Sequence, residues 1–140
     1  MSFDLTVVPI EWANSTPPDP ATPEYDVWQR CQETACLFAA RLGADGTVGL
    51  YWSGIARTLD LPLLAGIYEC GLRLDSTSEL ETLALELDEI ESGWQSMELP
   101  DPGHRSWLRG QVREHLAERL ASFREALRVA MHHGAVLIVS

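Results

Sequence analysis

The sequence has no lysine, and its ten basic residues, all arginines, stand against 21 acids. A net charge of -11 with no basic arm repels nucleic acid and anionic membrane surfaces alike, so neither is an expected partner. Lack of lysine also excludes a GxxxxGK[ST] phosphate loop, and the glycines at 43, 46, 49, 54, 66 and 71 do not form GxGxxG. No stretch approaches the roughly 20 apolar residues that cross a bilayer. The start, MSFDLTVVPIEW, has an acid where a secretory leader carries basic residues, which predicts a cytoplasmic protein.

Cysteine is scarce and odd in number. Cys31, Cys36 and Cys70 include no Cys-x-x-Cys pair, and on a helix Cys31 and Cys36 lie about 140° apart, so all three are expected to be reduced, buried thiols. The four histidines lack HExxH or Glu-x-x-His spacing. His104 falls in a loop, His115 stands alone on the last helix, and His132 and His133 suit the carbonyl end of that helix. The sequence therefore assigns no metal ligand, cofactor or catalytic residue.

What is present is enough for a core. A chain of 140 residues with 46% hydrophobic content and five tryptophans is expected to fold as one globular domain over 1–140. FDLTVVPI (3–10) suits a strand covered on both faces and ended by Pro9. Residues 11–22 are rich in proline and small polar types and read as an irregular surface segment. Thr22, Pro23 and Glu24 start a helix, and Trp28, Cys31, Ala35, Phe38 and Leu42 continue it at spacings of three and four to a stop at Gly43. After the GADG turn, TVGLYW reads as a short strand or extended run. Asp60 is placed to cap a short buried helix through LPLLAGIYEC, closed by Gly71.

Ser76 to Ser78 offer caps for the next helix, whose stripe is Leu80, Leu83, Leu87, Ile90 and Trp94. The last helix is expected from near Arg105 to His133, with Leu108, Val112, Leu116, Leu120, Phe123, Leu127 and Met131 inward and Gly134 ending it. AVLIVS then forms a strand. Two short apolar strands at opposite ends of the chain are each unstable alone, so they are expected to pair. The fold class is α+β, predominantly helical, with antiparallel helix packing and a small sheet made by the N- and C-terminal strands.

Charge is unevenly distributed. Residues 74–104 hold nine acids and no arginine, whereas 105–140 hold six arginines and three acids. An antiparallel hairpin sets one against the other, with Arg105, Arg109 and Arg113 reaching across. Glu81, Asp88 and Glu89 project away from the apolar stripe and surround Leu85, an apolar centre in an acidic rim. The competing reading is that another segment, such as the proline-rich one, covers Leu85.

These features lead to a non-catalytic protein-binding domain of the inhibitor, immunity-protein or secretion-chaperone type. Glu81, Leu85, Asp88 and Glu89 would meet a basic protein partner. The alternative is a small enzyme or ligand-binding domain in which Tyr51, Trp52, Tyr68 and Glu69 line an aromatic pocket for an organic cation or sugar. A subunit that forms a homodimer through a helix face is a third reading.

Overall fold

A computed structural model describes residues 2–103 and 111–140. Strand β1 (Ser2–Val8) stops at Pro9, which has no N–H for a ladder, and the chain makes one helical turn, α1 (Ile10–Ala13). Irregular residues 14–22 lead to α2 (Pro23–Ala35) and β2 (Phe38–Ala44). A continuous helical run follows, made of α3 (Asp45–Thr47), a π-helical turn (Val48–Ser53) and α4 (Gly54–Thr58). Short helices α5 (Pro62–Ala65) and α6 (Ile67–Cys70) precede β3 (Leu72–Leu74). Two long helices, α7 (Thr77–Ser96) and α8 (Val112–His133), and strand β4 (Val136–Val139) complete the chain.

The terminal strands meet as the sequence predicts. The sheet order is β2-β1-β4-β3 with every neighbour antiparallel, and Leu5 lies opposite Val139 and Val8 opposite Val136. Alternation sends Leu5, Val7, Leu74, Leu137 and Val139 into the core beneath the helices. On the other face Val8 and Val136 are also buried, while Asp4, Arg41 and Arg73 remain exposed. Arg73 donates there to the Ala13 carbonyl (3.1 Å) and to Asn14 Oδ1, which ties the end of α1 to the outer face.

The expected stripe of α7 is buried in full. Val112, Leu116, Leu120, Phe123 and Leu127 of α8 oppose it, and Trp52 sits between them, 4.8 Å from Trp94 edge-on and 5.5 Å from Phe123. Met131 departs from this pattern at 44% exposure. Gly134, at φ 58°, takes the left-handed position that ends α8. The expected start near Arg105, and Leu108 with it, lie outside the described residues.

Several local expectations are corrected. The helix expected to continue to Leu42 stops at Ala35, and Phe38 and Leu42 belong to β2. Pairing with β1 satisfies the backbone of an open strand, and that outweighs the helical spacing. No residue of α2 is fully buried, so its stripe rests on the surface. TVGLYW is helical, and its π-helical turn brings the Gly49 carbonyl so close to Gly54 that a Cβ there would lie 2.8 Å away. Asp60 does not cap α5: Leu61 holds that position, and Asp60 has φ 57°. All three cysteines are free, but Cys31 and Cys70 are exposed and Cys36 is half-buried, since neither α2 nor α6 turns its thiol inward.

Candidate functional site

Helix α7 carries six carboxylates over 76–94, and the fold gives four of them structural tasks. Ser76 caps the helix by accepting the Glu79 N–H (3.3 Å), and its hydroxyl donates to Glu79 Oε1 (2.8 Å), a local variant of the capping box. Glu86 is only 4% exposed. Its Oε1 accepts the Leu64 N–H (3.0 Å) and its Oε2 the Leu63 N–H (3.2 Å), so it supplies from another helix the cap that α5 lacks. Asp88 and Glu91 converge on Arg124 of α8. That guanidinium donates to both oxygens of Glu91 (3.1 Å each) and to Asp88 Oδ1 (2.9 Å). The hydrogen bond to Glu91 is the main cause of its raised pKa; burial opposes the shift and Asp88 adds to it.

Among the described residues, Arg124 is thus the arginine that pairs with the acids of α7. Arg113 instead donates to the carbonyls of Trp94 and Met97 (3.0 Å to the latter), where the last turn of α7 leaves acceptors unpaired at its negative end. Arg105 and Arg109 lie outside the described residues. The contacts of Arg113 and Arg124 also fix the hairpin as antiparallel.

Glu81 and Glu89 are left over, exposed and with no hydrogen bond or ion pair among the described residues. Between them stands Leu85, 67% exposed, so Glu81, Leu85 and Glu89 form a stripe at i, i+4 and i+8. The proline-rich segment does not cover Leu85, which stays exposed; the segment starts at Asn14, held by Arg73 of β3, and Ser15 Oγ accepts from Trp28 Nε1 of α2 (3.2 Å). Asp88 borders the stripe while held by Arg124.

Tyr51, Trp52, Tyr68 and Glu69 do not come together around a pocket. Tyr51 and Trp52 are core residues, and the Tyr51 hydroxyl donates to the Pro100 carbonyl (2.6 Å). Burial first, and then the charge of Asp101, raise the Tyr51 pKa above its ordinary 10.0. Tyr68 is 46% exposed and lies near Phe3, while Glu69 faces solvent and pairs with Arg57 at 2.8 Å. His132 and His133 are exposed in the last turn of α8, 4.8 Å apart edge to face; His104 is outside the described residues.

Sequence reasoning missed Glu86 and Arg124. Glu86 falls at i+3 from Leu83 and one residue before Leu87, inside the buried arc, and a carboxylate in that position requires donors. Arg124 follows Phe123 on the flank of its own stripe.

Fold and surface together define an α+β, predominantly helical protein with an acidic stripe on its longest described hairpin. No protein-family model matches the chain, and no curated protein or solved structure matches it.

Proposed function

We propose that the protein is a non-catalytic binding domain whose α7 stripe meets a basic protein partner, in the manner of an inhibitor, immunity protein or secretion chaperone. The observation that carries this reading is the exposure of Leu85 between two carboxylates that the fold leaves unpaired. An apolar centre in a charged rim suits an interface in which contact holds the complex and charge speeds its formation. Among the described residues no helix is long and apolar enough to cross a membrane. The free thiols support a reducing, cytoplasmic setting.

The test is recovery of partners from the native host on tagged protein, followed by binding kinetics with the recovered partner. Leu85→Ala is expected to weaken affinity by about tenfold or more, the loss of roughly 1.4 kcal/mol at a hot spot, with melting unchanged. Glu81→Gln with Glu89→Gln is expected to slow association and flatten its salt dependence, because exposed charges act over about 10 Å at 0.1 M salt. Affinity and association unaltered by all three substitutions would remove the stripe as the interface.

A further inference from the structure

Two arginine clamps join α7 to α8, and among the described residues the surface between them is not filled. Arg124 bridges Asp88 and Glu91, while Arg113 closes the other end on the Trp94 and Met97 carbonyls. At 1.5 Å per residue the two clamps stand about 16 Å apart along α8. Ala117 lies between them, exposed, and its single methyl group leaves the groove open. The result is a cleft of about 190 Å³ walled by Trp94, Leu99, Leu116 and Leu120.

The walls are held in place. Leu116 and Leu120 are buried, and Trp94 Nε1 donates to the Tyr51 carbonyl (2.9 Å) while its ring meets Trp52 edge-on, so the indole cannot turn to close the cleft. A preformed apolar wall lowers the ordering cost of binding. An apolar cavity of about 150 Å³ holds benzene, so this one has room for a substituted ring or a small bicycle. The rim then selects charge. Glu91 already accepts from Arg124 on both oxygens, and Arg113 spends two donors on helix carbonyls, so neither is free to hold an ion. An ammonium group would meet the charge of Arg113, and a carboxylate that of Glu91. The polar group left over is Gln95, exposed and with no hydrogen bond among the described residues, whose amide offers both a donor and an acceptor.

We propose that the cleft between α7 and α8 binds a small, neutral aromatic molecule bearing one N–H or O–H group, of the indole or phenol class. The ring rests against Trp94 and the two leucines of α8, and its polar edge meets the Gln95 amide. This site is separate from the α7 stripe and does not depend on the partner proposed for it.

NMR titration of the intact chain with indole, and with benzoate and benzylamine as charged counterparts, tests the site. Indole is expected to shift the Trp94 Nε1–H and Ala117 methyl signals saturably. Ala117→Leu extends a side chain into the cleft from an exposed helical position, so it is expected to weaken indole binding by about tenfold or more with melting unchanged. Gln95→Leu should weaken it by about fivefold, the loss of one neutral hydrogen bond, and Leu85→Ala should leave it as it is. Benzoate or benzylamine binding as tightly as indole would overturn the preference for a neutral ring. Absence of a saturable shift with indole, or equal indole affinity in Ala117→Leu, would overturn the site.

Discussion

Replacing Glu86 with alanine tests whether a side chain on one helix holds the start of another. The carboxylate accepts two backbone N–H groups, those of Leu63 and Leu64, and the Leu64 amide bond is fully buried. Deleting it leaves both donors without an acceptor, at about 1 to 3 kcal/mol for each buried group. Relief of the desolvation of a buried carboxylate offsets part of that, and a net loss of about 3 kcal/mol is expected. For a chain of this size that lowers Tm by roughly 10 °C. Glu86→Gln, which keeps one acceptor oxygen but turns N–H donors toward an amide, should fall between. Urea unfolding gives the energy, and amide exchange at Leu63 and Leu64 of α5 gives the location, with both amides losing protection before those of α7. Glu89→Ala, on the exposed face, serves as the control and should change stability by less than about 0.5 kcal/mol. A loss below about 1 kcal/mol for Glu86→Ala, with both amides still protected, would refute the capping role.

Deleting residues 135–140 removes the central partner of β1 and the buried side chains of Val136, Leu137 and Val139. At about 1.5 to 3 kcal/mol for each side chain the loss is comparable to total domain stability, so the truncated chain should lose its cooperative melting transition; an unaltered transition contradicts the sheet. Three free thiols should titrate in denatured, non-reduced protein, and in the native state Cys31 and Cys70 should react before half-buried Cys36; a titre of one thiol would indicate a disulfide. The raised pKa of Tyr51 means that the unfolded chain loses this proton first as pH climbs past 10, so stability falls on the alkaline side. Tyr51→Phe should flatten that fall in urea unfolding measured between about pH 9 and 11, and an identical slope would show that Tyr51 is not its source.

The legible parts of the fold were those in which one period dominated. The α7 stripe from Leu80 to Trp94 is read from its spacing, and the terminal strands from their apolar composition and their need for partners. In 23–42 two signals competed: Phe38 and Leu42 continue the spacing of Trp28 and Ala35, and only the place beside β1 makes a strand of them. TVGLYW misled in the opposite sense, because its β-branched and aromatic residues favour strands locally while burial of Val48, Tyr51 and Trp52 on one helical run decides the outcome. The surplus at Glu81 and Glu89 was visible as a charge imbalance. The tasks of Glu86 and Arg124 were not, since each depends on a residue more than 20 positions away. The hydrogen bond from Arg119 to the Arg41 carbonyl spans 78 positions, and no local pattern announces it.

The position of β1 between β2 and β4 has a consequence for synthesis. Its partner on one side, Phe38–Ala44, follows closely, but the partner on the other, Val136–Val139, comes about 130 residues later. At roughly 5 to 20 residues per second, β1 waits on the order of 6 to 26 seconds on the ribosome with one edge open. During that interval the even-numbered N–H and C=O groups of Asp4, Thr6 and Val8 are available to any other extended chain. Asp4, exposed on the outer face, puts a charge at that edge where a neighbouring nascent chain would pair, and its replacement by an apolar residue should lower soluble yield more than it lowers stability.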